Sequence, residues 1–338
     1  MNQQTTGGVT IKQKRGVLME TEVVQSQVNK TIKTKRSRFK TTLTAIRKDW
    51  QLYSLLVLPL IYLLIFKYGP MLGNVIAFRR YMPGGKMYGE QWVGLYYFEM
   101  FINDPVFWNV FKNTLILGGI TLLFCFPMPI IFALLLNEIK SKKFKKFVQT
   151  ASYLPHFLSI VIIAGMILQL TALNGSINAI VEFFTGEKIS FIQSPDWFRT
   201  IYVTSEVWQG MGWGAILYLA ALTTIDDSLY EAAKIDGANR WKQTWHITIP
   251  GILPTIVTLL ILNIGSFLAI GFEKILLIYN PLTYETSDVI STYLYRVGLE
   301  SNNFSYAAAI GLFESIIGLV LVLTANSISR KLTERSLW

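Results

Sequence analysis

The chain has one cysteine, Cys125, and two histidines, His156 and His246, in 338 residues. A lone cysteine inside an apolar run excludes an internal disulfide and a cysteine-built metal cluster. Two well-separated histidines are too few for a histidine-rich metal site, and both are read as packed or interfacial side chains. There is no G-x-x-x-x-G-K-[ST] phosphate loop, so the chain does not itself cradle ATP, and neither H-E-x-x-H nor C-x-x-C occurs. Nothing marks a serine with a base and an orienting acid. Lipidation motifs are missing too. The expectation is a protein that is not an enzyme and binds no cofactor or metal of its own.

Charge is also scarce. Only 15% of residues are charged, against 52% hydrophobic, with a mean hydropathy of +0.40. That balance excludes an ordinary soluble domain and places the chain in a lipid bilayer. The net charge of +10 does not point to nucleic acid, because the basic residues collect beside apolar runs rather than over a soluble face.

Spanning takes about 20 mainly apolar residues. Six segments qualify, near Leu52–Phe78, Val110–Leu136, Val148–Leu173, Ile201–Thr224, Gly251–Ile278 and Tyr306–Ile328. The predicted fold is an all-α membrane protein with six transmembrane helices. Lys67 and Gly69-Pro70 interrupt the first run, leaving Lys67–Phe78 as a bent or interfacial extension, and Pro127 with Pro129 predicts a kink in the second. The first run begins after a polar lead, so no cleavable signal peptide is expected. That lead, residues 1–50, carries eleven basic residues and reads as a largely disordered cytosolic tail; Lys33–Lys48 would reach anionic headgroups or serve only to set topology. Residues 51–338 form the membrane domain.

Lysine and arginine counts set the orientation. The N-terminal tail, the five lysines of Lys140–Lys146, the loop with Lys234, Arg240 and Lys242, and the tail with Arg330, Lys331 and Arg335 fall on one side of six spans. That side is assigned to the cytosol, with both termini there. Arg79 and Arg80 on the opposite side are outvoted. The piece Ile177–Phe184 is amphipathic and expected to lie flat on the outer surface.

Between the fourth and fifth spans lies a polar island, residues 226–250. Ser228 followed by Glu231 is a capping-box spacing that starts a helix. Gly237 supplies the left-handed residue that ends it, and Pro250 stands where a new membrane helix begins without losing a needed donor. Ala232 and Ala233 let a partner's surface approach the helix backbone. The island reads as helix, turn, helix, shaped to be gripped.

Glu231-Ala232-Ala233, Gly237, and Ile247-x-Ile249-Pro250 after a gap resemble the EAA loop of permease subunits of binding-protein-dependent ABC importers. The likeness runs from about Leu52 to Trp338 and is nearest to the carbohydrate-type, maltose-permease-like group and its polysaccharide-permease branch. It is carried further by Ser152-Tyr153-Leu154-Pro155-His156, Trp208–Trp213, Tyr218–Asp226 and Leu299–Phe313. Ile249 stands where many members have leucine. The resemblance implies a type I ABC importer permease that pairs with a second, different permease subunit. It also implies two ATPase subunits that hold ATP and Mg, and an extracellular solute-binding protein that delivers a carbohydrate, an oligosaccharide or polysaccharide fragment. Glu231, Ala232, Ala233, Asp236, Gly237, Ile247 and Pro250 would form the ATPase-coupling contact.

Ionisable and amide groups inside spans are costly in hydrocarbon and face an interior or a cavity. For a sugar path the candidates are Glu206, Gln209, Trp213, Asn263, Phe267 and Glu314: carboxylates and amides to bond hydroxyls, aromatic faces to stack on pyranose rings. Against this, Glu273 and Lys274 could sit at the interface or pair with neighbours, Glu314 could bond a neighbouring helix, and the tryptophans could form an interfacial belt. Two other readings stay open: the same architecture importing amino acids, peptides or an anion, and a membrane sensor or scaffold that moves nothing.

Overall fold

The computed structural model describes residues 48–333 other than Ser266 and Ala269, with backbone alone at 329 and 331–333. Nearly all of the basic N-terminal tail, and Arg335, lie outside the described residues. The chain divides into two units, Met1–Gly73 and Asn74–Trp338. In the first, α1 (Trp50–Leu63) runs into a wide π turn at Leu64–Tyr68 and then into Gly69–Met71. The expected interruption at Lys67 and Gly69-Pro70 is therefore a change of helical pitch.

The second unit opens with a short ribbon, β1 (Arg79–Arg80) antiparallel to β2 (Gln91–Trp92), with Arg79 opposite Trp92. Ser305 Oγ donates to the Arg79 carbonyl at 2.8 Å and accepts from the Tyr81 N–H at 3.0 Å, pinning the ribbon to the start of the last helix. Next come α2 (Tyr96–Ile102), α3 (Pro105–Cys125) and α4 (Pro127–Glu138). Asp104 caps α3, its side chain accepting from Val106 N–H at 2.9 Å. The α3–α4 break at Phe126 follows from Pro127 and Pro129, which offer no N–H to the carbonyls four residues back.

α5 (Lys142–Tyr153), a tight turn at Leu154–Phe157, and α6 (Ile160–Thr171) follow, then α7 (Ser176–Thr185). The run read as one span over Val148–Leu173 is thus two helices. Leu158 is extended, and Ser159 starts α6 by accepting from Ile162 N–H at 3.3 Å. The amphipathic piece at Ile177–Phe184 falls within helix α7, with Phe183 and Phe184 exposed.

The longest interior element is α8 (Pro195–Leu222), which packs on α3, α4 and α5. Gly212 makes the last contact possible: a Cβ there would meet the Ser152 carbonyl oxygen at 2.2 Å. Small residues at such crossings let backbones approach. Gly212→Ala is expected to lower stability by about 1–3 kcal/mol through overpacking, since backbone cannot yield as a side chain can. Thermal unfolding of the solubilised protein checks this, and an unchanged midpoint would contradict it.

After α8 come α9 (Asp227–Ile235), α10 (Arg240–Gln243) and α11 (Ile249–Gly265), then α12 (Phe272–Ile278), a single turn at Tyr284–Ser287, α13 (Ile290–Tyr295) and α14 (Phe304–Thr333). The fifth span read as Gly251–Ile278 is corrected: its helix stops at Gly265 and resumes at Phe272. Its beginning is corrected too. Helix continues from Arg240 through a π turn at Thr244–Thr248 to Gly265, so Pro250 does not start a helix. The π turn absorbs the proline, with Ile249 N–H reaching back to the Thr244 carbonyl.

Among the described residues, five helical stretches are long and apolar enough to cross a membrane: Trp50–Phe78, Pro105–Glu138, Ile160–Thr185, Arg240–Gly265 and Phe304–Ile328. The remaining expected span is α8, whose 28 residues are long enough but include Asp196, Arg199, Glu206 and Gln209. Among the described residues, three apolar clusters hold the second unit together. One joins Phe101, Phe107, Ile290 and Ile310; a second joins Leu117, Tyr202, Ile275 and Val289; a third joins Ala133, Ala215, Tyr218 and Ile252.

Candidate functional site: a capped hook and a polar cavity

The hook is built by short-range bonds. Asp226, not Ser228, caps α9: its carboxylate accepts from Ser228 N–H at 2.9 Å. Ser228 already lies in the first turn, so the capping-box reading is corrected by two residues. That backbone bond, with a second from the Ser228 side chain, holds the Asp226 carboxyl below its ordinary value. At the other end Gly237 has φ +76°, while Gly237 N–H bonds the Lys234 carbonyl at 3.1 Å and Ala238 N–H bonds the Ala233 carbonyl at 2.8 Å. This is the two-bond Schellman closure, which needs the left-handed residue supplied here by glycine. Asn239 then caps α10, accepting from Lys242 N–H at 2.9 Å.

Three contacts fix the hook to the helices behind it. Tyr230 Oη and Thr248 Oγ1 share a hydrogen bond of 2.9 Å, and Arg240 pairs with Glu138 at the end of α4 at 2.5 Å. Behind the hook, a Cβ on Gly251 would meet the Ile225 side chain at 2.7 Å, so the two ends of the hook lie close together. Glu231, Ala232, Asp236, Gly237 and Pro250 are exposed, whereas Ala233 and Ile247 are half-buried. Two residues that sequence reading did not single out are the most informative. Leu229 is 52% exposed and Ile235 86% exposed, and with Ala232 they share one face of α9. The signal was there as an i, i+3, i+6 apolar row.

The second feature lies where the fifth span breaks. A cavity of about 190 Å³ is lined by Thr121, Cys125, Tyr202, Glu206, Asn263 and Phe267, with Gly118 and Gly271 in its wall. The break brings backbone close to two helices: a Cβ on Gly118 would meet the Phe267 carbonyl oxygen at 2.9 Å, and one on Gly271 the Tyr202 hydroxyl at 2.6 Å. Lys274, on α12, is 1% exposed and its ammonium pairs with Glu206 at 2.5 Å, 5.8 Å from the centre of the Tyr202 ring. Pairing with a neighbour, one of the two readings for Lys274, is therefore what the structure contains.

Of the six path candidates, Glu206, Asn263 and Phe267 come together at this cavity, and Gln209, Trp213 and Glu314 do not line it. Trp213 instead stacks on His156, centroids 4.5 Å apart and planes 5° off parallel, with Phe157 edge-on at 5.5 Å. Gln209 and Glu314 are half-buried, on α8 and α14. Among the described residues no cluster of three or more His, Cys, Asp or Glu could hold a metal ion.

A helical fold of this order, with a capped hook between its fourth and fifth spans, is that of a type I importer permease. Residues 106–335 match the family described as binding-protein-dependent transport system inner membrane component, and the chain belongs to that family as a multi-pass membrane permease. It is 43% identical over 321 residues, 95% of this chain and 100% of the relative, to the polygalacturonan/rhamnogalacturonan transport system permease protein YteP of Bacillus subtilis (strain 168). To protein LplB of that organism it is 44% identical over 297 residues, 88% of this chain and 93% of the relative. Its fold is similar, at a TM-score of 0.80 and 44% identity over 86% of this chain and 98% of the other, to a chain in the crystal structure of a bacterial ABC transporter involved in the import of the acidic polysaccharide alginate. A bacterial alginate ABC transporter in complex with alginate pentasaccharide-bound periplasmic protein gives a TM-score of 0.80 and 43% identity, covering 87% and 99% of the chains.

Proposed function

We propose that this permease carries an oligosaccharide or polysaccharide fragment inward, paired with a second, different permease subunit, supplied by an extracellular solute-binding protein and driven by two ATPase subunits that hold ATP and Mg. The single observation behind the coupling role is the bare face of α9. Ile235 is 86% exposed on a helix capped at one end and closed by Gly237 at the other, and a large apolar side chain held so rigidly in water is a contact awaiting its partner. Lysine and arginine counting puts this face, and both termini, in the cytosol, where an ATPase can meet it. Glu231 would pair with a basic residue of that ATPase, and Ala232 would let its surface come close.

The carbohydrate cargo is supported by the names of the relatives and by the chemistry of the cavity, which is lined by a carboxylate residue, Glu206, an amide residue, Asn263, and an aromatic one, Phe267. Closure of the ATPase pair on ATP would move the hook, and through the Glu138–Arg240 and Tyr230–Thr248 contacts the motion would reach α4 and α11. An Ala232→Cys variant of the assembled transporter is expected to crosslink to the ATPase in a nucleotide-dependent way. Uptake assays with candidate sugars test the cargo separately. No crosslink to any nucleotide-hydrolysing subunit would sink the coupling role, and ATPase stimulation only by a binding protein loaded with an amino acid, peptide or anion would sink the sugar.

A further inference from the structure

α5 takes no part in the hook or the cavity, yet its composition is lopsided. Lys142-Lys143-Phe144-Lys145-Lys146-Phe147 opens the helix with four lysines, and no acidic residue occurs anywhere in it. Ser141 caps it, accepting from Phe144 N–H at 3.4 Å, so the helix holds from the first lysine onward. At about 100° per residue, Phe144, Phe147, Val148 and Ala151 fall on one face, while Lys142, Lys145 and Lys146 point away and Lys143 stands at the border.

The faces are open. Phe144 is 55% and Phe147 69% exposed, and Lys142, Lys143 and Lys146 are exposed as well. The far end of the helix is anchored, because the Ser152 carbonyl lies against Gly212 of α8. The near end follows directly on α4, whose terminal Glu138 pairs with Arg240, and beside Arg240 stand Trp241 and Trp245, 72% and 60% exposed. Aromatic rings and cations thus gather at one end of the bundle. Rings on one face and lysines on the other is the arrangement of a helix lying in the plane of a membrane surface, where rings enter the acyl boundary and lysine stems carry the charge back to the phosphates.

We infer that α5 is a binding surface for anionic phospholipid, with Phe144 and Phe147 inserted below the headgroups and Lys142, Lys143 and Lys146 on the phosphates. Charge complementarity selects this occupant. A helix with no acid of its own offers nothing to a basic partner, and an anionic leaflet favours each lysine near it by about fivefold.

The test uses the assembled transporter in bilayers with and without phosphatidylglycerol. A nitroxide at Phe147→Cys, in a Cys125→Ser background, is expected to be relaxed by oxygen and shielded from a water-soluble nickel chelate. Independently of the label, changing Lys142, Lys143, Lys145 and Lys146 to glutamine is expected to lower the ratio of co-purified phosphatidylglycerol to phosphatidylcholine by at least about tenfold. Free access of the nickel chelate would show a solvated helix, and shielding from both relaxants would show a protein partner over the rings. Either result, or an unchanged lipid ratio in the glutamine variant, overturns the assignment. The depth and retention measurements need no transport, so they fail or succeed apart from the cargo.

Discussion

Glu206→Gln is expected to damage the protein more than Lys274→Met, although both break the same ion pair. Removing one partner of a buried pair leaves an uncompensated charge, at a cost of about 3–5 kcal/mol. Which charge is left decides the order. Lys274 is 1% exposed and Glu206 30%, so the stranded ammonium has no water while the stranded carboxylate keeps some through the cavity. The double variant Glu206→Gln/Lys274→Met removes both charges and is expected to recover most of the thermal stability lost by either single change. Midpoints of unfolding for the four proteins form a double-mutant cycle that measures the coupling. Equal effects of the two single changes would contradict the ordering by burial, and no recovery in the double would show that the pair does not hold α8 to α12.

The cycle also separates two roles that the cavity combines. If Glu206 only ties the broken span to α8, the double variant regains transport along with stability. If its carboxylate also bonds sugar hydroxyls beside Asn263 and Phe267, stability returns and uptake does not. The second outcome is expected because Glu206 lines the cavity and is 30% exposed even while it pairs with Lys274.

How far the sequence revealed these features depended on the range of the forces that make them. The hook was legible because its determinants are local: a cap, a left-handed glycine and a pair of alanines lie within a dozen residues of one another. Two details were misread, the cap, which is Asp226 in place of Ser228, and Pro250, which lies inside a helix already under way and does not start one. The helix breaks were less legible, because an apolar run looks the same whether wound or unwound. Gly265 and Gly271 flank the break in the fifth span and Pro155 and Ser159 mark that in the third, but glycine and proline are also tolerated within membrane helices, where neighbours satisfy the freed backbone groups. Pairing was one reading of Lys274, but that its partner is Glu206 was not legible. Its partners lie on different elements, and only the fold brings them to 2.5 Å. Trp213 shows the same limit, since its stacking on His156 requires the turn after α5 to fold back onto α8.

Gly237→Trp is expected to leave the permease inserted and folded while uncoupling ATP hydrolysis from uptake. The backbone at Gly237 has φ +76° and nothing lies within 4 Å of where a Cβ would be, so the substitution meets no wall and its cost is conformational. Holding a side-chain-bearing residue in that region costs about 1–2 kcal/mol, spread over a closure of two hydrogen bonds at an exposed loop. That is too small to unfold a protein of this size. It is enough to tilt α9 against α10, and the face carrying Leu229, Ala232 and Ile235 moves with α9. A contact that transmits force depends on that angle, so uptake is expected to fall by about tenfold or more, while ATP hydrolysis by the assembled complex persists. Gly237→Asn is the decisive control, because asparagine adopts the left-handed region more readily than other side-chain-bearing residues and is expected to retain most uptake. If Gly237→Trp transports normally, the hook does not carry the motion; if Gly237→Asn fails as badly as Gly237→Trp, the effect lies in the added bulk at the partner surface and not in the turn.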